Sequence, residues 1–221
     1  MTRTNHIVCL LLAAAAFAVA VALYAQLPDP VPTHWNWRGV ADGFTPKPWG
    51  AFILPLATLG TYLLLVAVPR ISPRGFQMER FARVYGLIVT ALVATLFAIT
   101  VIALLAATGV PLPIQRATPM LVGALFVVLG NFMGKLTKNF FIGIRTPWTL
   151  ASDEVWGRTH RLGGRLFVAG GFVAILSGLF TTSPTVFLTV ILTAALIPAA
   201  YSYVLYRRLE GFQPPENGHA H

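Results

Sequence analysis

Two histidines in this 221-residue chain have acids near enough in sequence to raise acid/base or metal chemistry. His34 precedes Asp42 in THWNWRGVADGF, and His160 follows Asp153 and Glu154 in SDEVWGRTHR. An imidazole beside a carboxylate can shuttle protons, and the same atoms can ligate a metal. Spacing argues against the second set, because Asp153 and His160 would stand two helical turns apart, too far to chelate one ion. The single cysteine, Cys9, lies in an apolar run, so neither an intramolecular disulfide nor a cysteine-rich metal site is possible. It reads as a small apolar residue. His219 and His221 are weak metal candidates in a tail. No nucleophile motif or phosphate-cradling loop accompanies any of these groups. The chemistry therefore points away from an enzyme, a metal or a cofactor, and toward recognition.

The elements that would carry these residues are membrane spans. Hydrophobic residues make up 56% of the chain and charged ones 10%, with a mean hydropathy of +0.72, whereas a soluble domain carries about 25% charged residues. Six apolar runs are long enough to cross a bilayer: 7–25, 51–68, 84–107, 119–133, 166–180 and 185–206. The first resembles a signal peptide, with a small-x-small site at Ala20-Val21-Ala22, but it exceeds the roughly 7–15 residues of a signal core and is expected to stay as an anchor. Ser183-Pro184 joins the last two runs so tightly that they must be antiparallel neighbours.

Cations orient the spans. With the N-terminus inside, thirteen Lys and Arg fall on inner segments, including Arg3, Arg70, Arg74, Arg80 and Arg83, and only Arg38, Lys47 and Arg116 fall outside. That bias follows the positive-inside rule. It also explains the net charge of +9 as topology and lipid attraction, leaving no argument for direct nucleic-acid binding. All seven acids lie in loops or the tail, so the midplane groups expected of an ion-coupled pump are missing. Pro55 and Pro198 read as kinks and packing points. Gly130 and Gly134, and Gly164, Gly171 and Gly178, place small residues on one face of the fourth and fifth spans, where backbones can approach.

Two loops are unusual. The outer one, residues 27–49, is rich in Pro and Trp, with turns expected at Arg38-Gly39 and Asp42-Gly43. His34, Trp35, Asn36 and Trp37 would form a rigid aromatic and polar surface for an external peptide or lipid, although Trp35, Trp37 and Trp49 would serve equally as headgroup anchors. In the inner loop, Asn139 to Gly143 reads as an interfacial segment and Pro147 as a corner, with Trp148 sunk in the interface and Arg145 paired to a lipid phosphate or a helix end. Ser152 is placed to cap a helix that starts with two acids, and Glu154 can pair with Arg158. Trp156 and His160 share one face of that helix, and Arg158, Arg161 and Arg165 form a polar stripe, as expected of an amphipathic interfacial helix running into span five.

Across this loop the chain resembles the SdpI family of bacterial integral membrane proteins, typified by an immunity protein against a secreted antimicrobial peptide. The residues that carry the resemblance are Asn131, Lys135, Asn139, Gly143, Ile144, Arg145, Thr146, Pro147, Trp148, Thr149, Leu150, Val155, Trp156, Thr159, His160 and Arg161. The outer stretch is similar to a small N-terminal domain of unknown function that often precedes that family, through Leu27, Pro28, Pro32, His34, Trp35, Gly39, Asp42, Gly43 and Lys47.

The expected fold is all-α: six transmembrane helices plus an interfacial amphipathic helix, both termini cytoplasmic, in a bacterial inner membrane. Residues 1–50 would hold the first span and outer loop, 51–118 spans two and three, 119–208 the SdpI-like region, and 209–221 a flexible tail. The resemblance implies immunity to a secreted toxin peptide, with signalling to a small cytoplasmic transcriptional repressor. The competing reading is a transporter or exporter of a small amphipathic molecule. Candidate ligand-binding residues are His34, Trp35, Asn36, Trp37, Gly39, Asp42 and Lys47.

Overall fold

The structure, a computed structural model, describes residues 1–72, 81–181 and 183–211. Arg74, Arg80, His219, His221 and most of the expected tail lie outside the described residues. Among the described residues, six helices are long and apolar enough to span a bilayer: α1 (Arg3–Leu23), α2 (Lys47–Ala67), α3 (Ala82–Ala107), α4 (Ile114–Met133), α6 (Asp153–Phe180) and α7 (Pro184–Leu209). A short α5 (Pro147–Ala151) precedes α6. The chain is a multi-pass membrane protein, and six crossings place both ends of the bundle on the same side.

Local chemistry accounts for the helix starts. Thr2 accepts from the Asn5 backbone N–H while the Asn5 side chain returns a bond to Thr2, closing a capping box on α1. Ser152 caps α6 through the Val155 N–H, with Asp153 and Glu154 in the first turn, where the helix end is positive. Proline opens α2, α5 and α7, where its missing N–H removes no helical bond. Pro55 and Pro198 are buried within α2 and α7.

The bundle has two halves. Helices α1, α2 and α3 pack on one another, α4 packs along α6 and α6 along α7, and the α3–α4 contact joins the halves. Inside the first half, Cys9, Tyr62, Tyr85, Val89 and Val93 are buried. Polar bonds stitch its inner end: Asn5 donates to the Thr90 hydroxyl at 3.1 Å, His6 Nδ1 meets the Tyr62 hydroxyl at 2.9 Å, and the Tyr85 hydroxyl donates to the Leu65 carbonyl.

The second half is set by glycine. A Cβ on Gly123 would stand 2.6 Å from the Gly171 carbonyl, and one on Gly171 would stand 2.5 Å from that of Gly123. Gly130 and Gly164 meet in the same reciprocal way, and Gly178 lies against the Arg116 carbonyl. The contacts recur every seven residues along two antiparallel helices, so the backbones approach closely along their length, with Val127, Val168 and Ile175 packed beside the glycines. Gly134 does not share this role: it caps α4, and its nearest neighbour is the Arg161 side chain.

Candidate binding surfaces

The outer loop is a β-hairpin, an element the sequence reading did not foresee. Val31–Trp35 (β1) pairs antiparallel with Ala41–Thr45 (β2), with irregular register around His34. The turn falls at Arg38-Gly39 as expected: Gly39 takes φ +78° and donates to the Asn36 carbonyl, while Asn36 Oδ1 accepts from the N–H groups of Arg38 and Val40. Asn36 is thus the turn's own scaffold. Asp42-Gly43, expected as a second turn, is instead part of β2, where the glycine is needed opposite His34: a Cβ there would stand 2.8 Å from His34 Cβ.

Pleating gives the hairpin two faces. Val31 is buried against Leu27, Ala51 and Leu104, and Gly50 closes on it, which fastens the strand to the bundle. On the other face His34 donates through Nδ1 to Asp42 Oδ1 at 2.5 Å, with both side chains solvent-accessible. Trp37, Phe44 and Val40 are exposed, and the Arg38 guanidinium lies over the Trp37 ring. Lys47 stands apart: it begins α2, its backbone N–H bonds Asp29, and its ammonium lies over the Tyr24 ring.

Beneath the hairpin are two clefts. One, of about 290 Å³, lies between α2, α3 and α4 under Thr33, His34 and Trp35. The other, about 160 Å³, lies among α4, α6 and α7 beside Trp35, Asn36 and Trp37. Trp35, Ile114 and Thr118 line both. The indole therefore divides one apolar recess in two. Ile114, Gln115, Thr118 and Phe187 were missed by the sequence reading, because ordinary residues at helix ends carry no local signal of the cleft they share.

The inner loop is built the opposite way. Asn139 is fully buried, donates to the carbonyls of Thr137 and Ile142 and accepts from the N–H groups of Phe141 and Ile142, so its amide holds the loop together. The loop then covers α6. Trp156 stacks on His160 with ring centroids 4.0 Å apart and donates to the Leu136 carbonyl. His160, 1% exposed, donates from Nδ1 to the Trp156 carbonyl and accepts at Nε2 from the Ile144 N–H. Accepting at Nε2 requires the neutral ring. Gly143, at φ +115°, is obligatory, since a Cβ there would stand 2.3 Å from His160 Nε2.

Several expectations for this loop change. The amphipathic start of α6 is continuous with span five, and the face carrying Trp156 and His160 is covered by protein rather than by the bilayer surface. Asn139, expected in an interfacial segment, is interior. Arg145 donates to the Phe140 carbonyl, and Trp148 packs edge-on against Tyr203 of α7. Thr146 and Thr149 close a capping box on α5, and Thr146 also meets Ser202 of α7. Glu154 pairs with Arg158 as the four-residue spacing suggests, and Lys138 pairs with Asp153.

Comparison with known proteins falls on these two regions. Residues 135–202 match the SdpI/YfhL protein family, and residues 11–59 match the Domain of unknown function DUF1648. The Immunity protein SdpI of Bacillus subtilis (strain 168) is 26% identical over 209 residues, covering 94% of this chain and 98% of that protein. The chain is thus similar to the SdpI family over its last third, and to the Bacillus protein along nearly its whole length. Its SdpI segment takes in the inner loop, α5, α6 and most of α7, while the preceding domain takes in most of α1, the hairpin and the first part of α2. Asn131 lies just before the SdpI match. No solved structure matches the chain. With its six membrane-spanning helices, the protein is a multi-pass protein of the bacterial plasma membrane.

Proposed function

We propose that this protein, like the immunity protein it resembles, confers immunity to a secreted, membrane-active peptide, which it receives on the outer hairpin. The observation that carries the reading is Trp35, set between two apolar clefts beneath a hairpin whose outward face bears His34, Asp42, Trp37 and Phe44. The larger cleft lies at the lower bound of small-molecule pockets, about 300 Å³, so each suits one apolar anchor side chain rather than a whole ligand. A peptide placing two such anchors astride Trp35 would meet rigid aromatics and the His34–Asp42 pair at the rim. Signalling to a small cytoplasmic repressor is a separate step of the proposal.

The test is survival of a strain series under peptide challenge, with protein abundance and membrane capture of the repressor measured alongside. Substitutions at His34, Trp37 or Asp42 are expected to abolish protection at normal abundance. If those strains stay protected, the hairpin is not the receiving surface. If protection requires measurable efflux of the peptide, the exporter reading replaces this one.

A further inference from the structure

We propose that the inner end of the α4–α6 pair holds one anionic phospholipid, its phosphate between Arg161 and Arg165 and an acyl chain in the adjoining groove. The groove, about 430 Å³, is floored by Gly130, Gly134 and Gly164 and walled by Val168 and Ala169. Its depth comes from missing side chains. Above Gly134 the nearest atom to an added Cβ is Arg161 Cγ at 3.6 Å, so the space there is open apart from that arginine.

Charge selects the occupant. Arg161 and Arg165 line the groove, are exposed and stand four apart on one face of α6. The nearby acids are already taken, Asp153 by Lys138 and Glu154 by Arg158, and among the described residues no carboxylate lies within ion-pair distance of either arginine. Exposed Asn131 lines the same end, and its Nδ2 gives one bond to the Val127 carbonyl, leaving a second N–H for a phosphate oxygen. Two guanidiniums suit a phosphate bidentately, and at the inner end of a span the apolar walls suit the chain attached to it. A free phosphate would use only the polar half of this groove.

The experiment places the full-length protein in nanodiscs of equal phosphatidylglycerol and phosphatidylcholine, releases it into mild detergent and identifies retained lipid by native mass spectrometry. The native chain should keep phosphatidylglycerol, and inorganic phosphate added to phosphatidylcholine-only discs should not bind. The Arg161→Gln and Arg165→Gln double variant should lose retention by roughly 30-fold, two cationic contacts at a membrane surface. Arg158→Gln removes the same charge as Arg161→Gln from a paired site and should leave retention unchanged. Gly134→Leu keeps every charge but fills the groove, and should lose retention with its detergent melting temperature unchanged. Retention surviving the double variant or a stably folded Gly134→Leu chain, an equal loss in Arg158→Gln, or an acidic protein co-purifying in place of lipid would overturn the site.

Discussion

The hairpin and the inner loop carry similar residues, histidines, tryptophans, asparagines and glycines, yet they use them in opposite ways. In the inner loop, Asn139 and His160 have their hydrogen-bonding atoms matched by backbone groups, and Trp156 is 3% exposed. On the hairpin, Trp37 is 55% exposed and His34 bonds another accessible side chain. Buried polar groups must be paired, so the inner motif is consumed in building the fold. Exposed aromatics held on a rigid turn are free to meet a partner. A dense motif therefore marks structure in one loop, and a sparser one marks a surface in the other.

The contrast breaks most visibly at Trp156. Trp156→Ala empties a core position and orphans the Leu136 carbonyl, so it should cost about 3–5 kcal/mol and sharply lower abundance and the melting temperature in detergent. If abundance stays normal while protection is lost, the inner loop contacts a partner after all. His160→Phe keeps an aromatic ring on Trp156 but leaves the Ile144 N–H without its acceptor, and should cost about 1–3 kcal/mol by the same melting measurement.

Thr159 sharpens the comparison with the opposite sign. Its hydroxyl is fully buried and unpaired among the described residues, so Thr159→Val should be neutral or stabilise by about 1 kcal/mol. The smallest effects on stability belong outside: Trp37→Ala and Asp42→Asn should each change it by less than about 1 kcal/mol, because the side chains are accessible and the His34–Asp42 hydrogen bond is solvated. Those same variants carry the largest expected loss of protection. A large drop in melting temperature for either would show that the hairpin, too, is mainly structural.

Much of the architecture could be read from residue types alone. Apolar run length marked the six spans, and the seven-residue spacing of Gly164, Gly171 and Gly178 marked the face that α4 meets. The hairpin was not legible. Its strands are five residues long, interrupted by proline and glycine, and their pairing depends on contacts across a turn that no periodicity records.

What the sequence determined by itself were properties summed along one element: hydropathy, charge asymmetry, caps and the small-residue faces of helices. Only the tertiary structure decided which motif residues are interior. Trp156 and His160 looked like the apolar face of a helix at a membrane surface, and such a face can be covered equally well by lipid or by protein. Folding of residues 136–144 across α6 resolved that choice, because the Leu136 carbonyl and the Ile144 N–H find their partners on those two rings. The clefts beside Trp35 arose likewise from five helices and a hairpin far apart in the chain, since a cavity is a property of surfaces brought together and of no single segment.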